Sequence, residues 1–225
     1  MKPKVLITGP SGMGKTTLAK YLAERFNVPF INVGMVSNIC KCHGLKTHKE
    51  VIEYSKENPN MGGQLQIELM ASRSTMFFKH QASGFVTDRG PIDSLVYSEL
   101  QVAQYMPEGN HRFMEFMIKQ ATSDIRAFTH VILIPWIDGW EIENDGVRVV
   151  DPEFQKQCSE IYLHYISKFS QSGITALKAA TNIFITKSYY PHFMVLKEYN
   201  FKERQKACQT FFQITNVENN FSYIQ

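Results

Sequence analysis

The chain has 225 residues, 44% of them hydrophobic and 20% charged, enough for a single globular domain with a well-filled core and a small lid or insertion. Its 24 Lys+Arg against 21 Asp+Glu give a formal charge of +3, too mild on its own to indicate nucleic-acid binding, though compatible with an anionic substrate. Cys40, Cys42, Cys158 and Cys208 do not make a disulfide framework in a chain this long, and no apolar run approaches membrane-spanning length. The start, MKPKVLITG, passes from two lysines straight into an apolar run, so a cytoplasmic protein without a membrane partner is expected.

The first strand is expected at Lys4–Thr8, and behind it comes GPSGMGKTT, residues 9 to 17. This stretch satisfies G-x-x-x-x-G-K-[ST] through Gly9, Gly14, Lys15 and Thr16. The following TTLAKYLAERF carries Leu18, Tyr21, Leu22 and Phe26 at the spacing of one helical face. Glycines let such a loop turn its N–H groups around phosphate oxygens, and the helix that starts in it adds the positive end of its dipole. Gly9, Ser11, Gly12, Met13, Gly14, Lys15, Thr16 and Thr17 are therefore the candidate donor-binding residues. Lys15 is expected to reach the outer phosphates of ATP and Thr16 to ligate Mg²⁺. The full pattern between strand and helix argues against a glycine turn that binds nothing.

A second strand is expected at Pro29–Val33. The CKCH at 40–43 lacks the C-x-x-C spacing of a zinc site, so free thiols are the better reading. KCHGLKTHK, residues 41 to 49, holds three lysines and two histidines. Two helical stretches follow, THKEVIEYSKEN and GGQLQIELMASRSTMFFKHQ, and NPNMGG with Pro59 is expected to be the turn between them. Gln64, Gln66 and Arg73 lie on the second, and Lys79 and His80 end it. These residues are expected to rim the acceptor side of the cleft, with Phe77, Phe78 or Trp136 stacking a base. A solvated helix surface and core aromatics remain the alternative.

The third strand, Gly84–Asp88, ends FVTDRGPIDS. In an open parallel sheet ligands bind beyond the carboxyl ends of strands, so Asp88 is a candidate second metal-associated carboxylate and Arg89 a cleft cation. Asp93 is either a functional acid or an N-terminal helix acid. A fourth strand is expected at His130–Pro135, and then PWIDGWEIENDGVRVVDPEF, with Asp145, Arg148 and Asp151, reads as a lid over about 138–152. DPEFQKQCSEIYLHYISKFS is a helix opened by Asp-Pro. A fifth strand falls between Asn182 and Tyr199, where NIFITK and FMVLKEY compete. FKERQKACQTFFQ makes a last helix, and the tail at 214–225 is expected to be loosely held. Apolar segments alternating with amphipathic ones indicate an α/β sheet covered by helices on both faces.

GPSGMGKTT, KCHGLKTHKEV, VTDRGPIDSLVY and ENDGVRVVDPEF together resemble the small P-loop kinase-like ATPases abundant in bacteriophage genomes, which are related to the ribosylnicotinamide kinase domain of bacterial NAD regulators. The resemblance covers roughly residues 4 to 165, and the Asp-Arg pair is also similar to that of thymidylate and deoxynucleoside kinases. It implies a P-loop NTPase fold with a five-stranded parallel sheet of order 2-3-1-4-5. It also implies Arg148 as lid arginine, Asp88 as Mg²⁺-associated acid, Arg89 as cleft arginine, and the host cytoplasm as location if the chain is phage-encoded.

One departure stands out. The stretch after the second strand, NVGMVSNICK, holds no carboxylate to serve as a base, so either Asp88 takes that role or the acceptor is an already ionised phosphate. The expected reaction is transfer of the γ-phosphoryl group from Mg·ATP to a nucleotide-type acceptor, with Lys15, Asp88, Arg89 and Arg148 as catalytic residues. Phage kinases of this kind are associated with thymidine hypermodification, so the resemblance points to the hydroxymethyl group of a 5-hydroxymethylpyrimidine in DNA. A free nucleoside or nucleoside monophosphate is the alternative acceptor, and a nucleotide-dependent switch or assembly ATPase the alternative class. Whether the chain forms a homodimer is left open.

Overall fold

Short strands that are apolar on both faces and separated by helices favour parallel pairing, and the first four strands of this chain pair that way. A computed structural model describes residues 2–33, 38–106, 110–142, 151–171, 174–178, 183–186 and 191–221. The elements in chain order are β1 (Lys4–Thr8), α1 (Lys15–Phe26), β2 (Phe30–Ile31), α2 (Asn38–Cys42), α3 (His48–Glu57) and α4 (Pro59–Lys79). They continue with β3 (Phe85–Thr87), α5 (Pro91–Gln101), α6 (Asn110–Asp124), β4 (His130–Leu133) and α7 (Pro152–Gln171). β5 (Ile174–Lys178), β6 (Ile183–Thr186), β7 (His192–Val195) and α8 (Phe201–Phe221) complete them.

Among the described residues the sheet has seven strands in the order β2-β3-β1-β4-β7-β6-β5. The first five of that order pair in parallel, so the expected 2-3-1-4-5 arrangement holds with β7 in fifth place. Both competing segments are strands: FMVLKEY supplies β7, and NIFITK supplies β6, which pairs antiparallel with β7 and with β5. One strand was expected there, because a short apolar run does not reveal in which direction it will pair.

Successive residues of β1 enter different cores, as strand geometry requires. Val5 and Ile7 pack with Ile132, Met194, Leu18, Leu22 and Phe211 beneath α1 and α8. Leu6 packs on the other face with Leu133, Phe193, Met70, Leu95 and Tyr162 beneath α4, α5 and α7. A third cluster, Cys40, Leu45, Val51, Leu65 and Leu69, holds α2, α3 and α4 together. Cys40 is a core residue of that cluster, whereas Cys42 is exposed.

The junction at NPNMGG differs from expectation. Thr47 and Glu50 form a capping box that starts α3, but α4 begins directly at Pro59, so Gly62 and Gly63 lie inside a helix. Gly62 is there because α3 crosses close by: a Cβ on it would stand 2.8 Å from Ser55 Oγ and 3.0 Å from the Ser55 Cα. α8 runs on to Phe221, so the expected loose tail begins within a helix, where Thr215 is buried.

Candidate active site

The phosphate-type loop leaves β1 at Thr8. Gly9 has φ 136°, and a Cβ on it would lie 2.1 Å from the Ile134 carbonyl oxygen, so only glycine fits between loop and β4. Gly14 caps α1 in the left-handed region with φ 77°. Met13 is fully buried and anchors the loop to the core. The Ser11 amide donates to Gln155 Oε1 at 3.0 Å, which ties the loop to α7. Lys15 is buried, its ammonium donating to the Pro10 carbonyl within the loop. Thr16 and Thr17 are exposed, and the Thr16 hydroxyl donates to Asp88 Oδ2. The loop therefore meets the end of β3 at the two residues singled out for metal binding.

Behind that contact lies a buried polar group organised by Asp93. Its Oδ2 accepts from the Thr8 hydroxyl at 2.9 Å and the Gly90 amide at 2.8 Å. Its Oδ1 accepts from the Tyr162 hydroxyl at 2.8 Å and Arg89 Nη1 at 3.2 Å. Asp93 thus does begin a helix, as one of its two readings held, while also joining β1, the Arg89 turn and α7. Arg73 of α4 donates to Ser94 Oγ at 2.6 Å. Burial pushes the Tyr97 hydroxyl up to about 12 and, reinforced by Asp93, pushes Tyr162 well above its ordinary range, so both stay neutral. Burial also lowers Arg73, opposed by Asp93 and assisted by Arg89, though a guanidinium keeps its charge. Of the two buried guanidiniums, Arg89 pairs directly with the fully buried Asp93, while Arg73 feels the same carboxylate through its field; the buried Asp88 also acts on Arg89.

Other expected residues fall elsewhere. A helix joining two parallel strands runs back along the sheet, so α4 ends at the opposite edge from the loop. Lys79 and His80 are therefore not on the acceptor rim, and Phe77 is core, stacked on Phe85 at 5.6 Å. Phe78 is exposed at that same far end. Gln64 is on the surface, bonded to Glu68, whereas Gln66 is buried with Arg73. Trp136, half-buried at the end of β4, donates from its ring to Asp138 at 3.2 Å. Asp151 caps α7 by accepting from the Glu153 and Phe154 amides. Asp145 and Arg148 lie outside the described residues, as do the side chains of His48 and Lys49. Gln155, Tyr162, Trp140 and Arg204 were not singled out from sequence: each reaches the site across a long stretch of chain, and none stands in a local pattern.

A five-stranded parallel sheet of order 2-3-1-4-5, with a glycine loop leaving its central strand and an Asp-Arg pair leaving the next, defines a P-loop kinase-type domain. Residues 4–180 match the family described as AAA domain (AAA_28), and the chain belongs to that family. A cytidylate kinase of Archaeoglobus fulgidus is 26% identical over 102 residues, which cover 44% of this chain and 57% of that protein. One from Mycoplasmopsis synoviae is 30% identical over 78 residues, 35% of this chain and 34% of that protein. The chain thus spans between a third and three fifths of the relatives it matches. Among solved structures, deoxyadenosine kinase from M. mycoides superposes with a TM-score of 0.58 at 12% identity, covering 96% of this chain and 99% of that one. Thymidylate kinase from Candida albicans gives 0.56 at 15% identity, covering 96% and 92%. NadR protein in complex with NR gives 0.55 at 16%, covering 92% of this chain and 50% of that one. No helix among the described residues is long and apolar enough to cross a membrane.

Proposed function

We propose that the protein is a kinase that transfers the γ-phosphoryl group of ATP to a free nucleotide-type acceptor, most simply a nucleoside monophosphate. The observation that carries this is the cluster of three buried cations, Lys15, Arg73 and Arg89, against two buried carboxylates, Asp88 and Asp93, at the strand end next to the phosphate loop. Excess buried positive charge favours an anion, and an anionic acceptor is already a nucleophile. A phosphate oxygen attacking the γ-phosphorus forms one P–O bond while the bond to the β-phosphate oxygen breaks, with no proton to remove. That fits the missing carboxylate after β2. The name shared by the curated relatives, cytidylate kinase, supports the same class.

In this reading Lys15 and the amides from Gly12 to Thr17 hold the donor phosphates. Thr16 and Asp88 put two hard oxygen ligands in direct contact, which suits Mg²⁺. When bound, the ion supplies neutralising charge on the donor phosphates. Arg89 stabilises the migrating group, Asp93 orients Arg89, and Arg148 retains the lid role that the resemblance implies.

The hydroxymethyl group of a modified pyrimidine in DNA is the second reading. It rests on the resemblance and on Lys41 and Lys46 of the basic stretch. Lys79, His80, Phe77 and Phe78, counted toward a polymer groove from sequence, lie at the far end of the sheet and do not support it.

Purified protein with Mg²⁺ and γ-labelled ATP, offered nucleosides, monophosphates, ordinary DNA and DNA containing 5-hydroxymethyluracil or 5-hydroxymethylcytosine, separates the readings. Label on a monophosphate is expected. Label on modified DNA alone would replace that acceptor with the polymer, and label only in released phosphate would favour the switch ATPase.

A further inference from the structure

The outer face of the phosphate loop is built as deliberately as its inner face. A loop that turns amides toward phosphate turns carbonyls outward, and buried carbonyls need donors. The Gly12 carbonyl accepts from the Trp140 indole Nε1 at 3.0 Å. The Met13 carbonyl accepts from Arg204 Nη1 at 2.7 Å, across 191 residues of chain. The two donors also touch each other, the guanidinium carbon lying 4.5 Å from the Trp140 ring centroid. Arg204 is 2% exposed, and its Nε donates to the Glu198 carbonyl at 2.7 Å, which fixes it to the segment after β7. Trp140 is fixed in turn by Tyr199, whose ring meets it edge-on at 5.1 Å and whose hydroxyl donates to the Gly139 carbonyl. A Cβ on Gly14 would stand 3.1 Å from Arg204 Nη1 and 3.9 Å from Trp140, so the absence of a side chain there admits the pair.

The bonded carbonyls belong to the peptide units 12–13 and 13–14, whose N–H groups are those of Met13 and Gly14. A donor on a peptide oxygen polarises that peptide and strengthens its N–H as a donor, most of all when the outer group is charged. We infer that Arg204 and Trp140 are positioning residues that lock the loop from outside and sharpen the Met13 and Gly14 amides toward the donor's phosphate chain. Neither touches phosphate in this arrangement. The inference rests on the proposed use of the loop for a nucleoside triphosphate. It adds that segments following β1, β4 and β7 jointly set the loop's affinity.

The test is equilibrium binding of Mg·ATP and of Mg·tripolyphosphate to the full chain and to Arg204→Ala, Arg204→Lys and Trp140→Phe. Arg204→Ala is expected to weaken both probes at least tenfold and by similar factors, because the effect acts on the phosphate chain. Trp140→Phe, which keeps the ring and loses the N–H, is expected to weaken both about threefold, and remains informative if Arg204→Ala does not fold. Added methylguanidinium is expected to restore affinity to Arg204→Ala but not to Arg204→Lys, without matching the change in thermal midpoint. Variants that bind both probes like the parent would overturn the inference while leaving the kinase reading intact. Loss for ATP with unchanged tripolyphosphate binding would also overturn it, placing the two side chains on the base instead. If the parent chain binds neither probe, the use of the loop proposed above fails first.

Discussion

Asp93 shows how much one side chain can organise. Each of its oxygens accepts two hydrogen bonds, and it is the only fully buried carboxylate against Arg89 and Arg73 among the described residues. Removing one partner of a buried ion pair leaves an uncompensated charge, a cost of roughly 3–5 kcal/mol. Asp93→Asn is therefore expected to lower unfolding free energy by about 3 kcal/mol in urea denaturation, with phosphotransfer falling in step as Arg89 loses its anchor. Lys15→Ala separates the two effects. Its ammonium sits in the loop at the Pro10 carbonyl, where the outer phosphates would lie, so turnover is expected to drop about a hundredfold or more, by a larger factor than any change in unfolding free energy accounts for. A Lys15→Ala protein with normal turnover would remove the loop from the reaction. The Asp93 contacts to Gly90 and Arg89 lie within one helical turn, as its reading as a helix N-terminal acid anticipates, whereas Thr8 is 85 residues away and Tyr162 is 69, beyond any local pattern. The phosphate loop, by contrast, is contiguous, so its glycine pattern is legible in the sequence, though the side chains that brace it from α7 and from after β4 and β7 are not.

At the scale of elements, α8 is tied to the sheet by a titratable contact. His130, the first residue of β4, is bonded through Nε2 to Thr215 at 2.9 Å and lies against Phe211, Phe212 and His192. Burial, assisted by His192, pushes His130 down to about 3, and burial lowers His192 as well. Both imidazoles are neutral in the fold, whereas the unfolded chain takes up protons near pH 6.5. Stability is thus full above pH 6.5 and falls as pH drops below it, by about 1.4 kcal/mol per pH unit for His130 alone, until the folded group itself protonates. Urea midpoints measured from pH 7.5 to pH 5 are expected to show this decline, and His130→Gln to flatten much of it. The α3–α4 junction makes a second prediction: Gly62→Ala must push Ser55 backbone aside, costing roughly 1–3 kcal/mol by the same assay. Element identities were largely legible because each amphipathic run is long. Local charge does not reveal that α4 runs back along the sheet into β3, so the charges at its C-terminus lie at the end of the sheet opposite the one expected.

For the whole molecule, the site is assembled by segments that follow β1, β3, β4 and β7, so occupying it should brace the entire fold. Mg·ATP at a hundred times its dissociation constant is expected to add about 2.7 kcal/mol to unfolding free energy, and a scan with EDTA present to lose most of the gain. A midpoint indifferent to nucleotide would count against the donor site.

The strand order also bears on how the chain comes together. β7 completes the parallel core, yet its other edge is paired with β6, and β6 with β5, all three close in sequence. Such a meander has low contact order, so its pairing is expected to begin before any long loop is closed. β7 can then reach β4 as part of a preformed ribbon, with its chain entropy already reduced. On that order of events the slow step of folding is expected to be the docking of one sheet fragment on another rather than the threading of a lone strand.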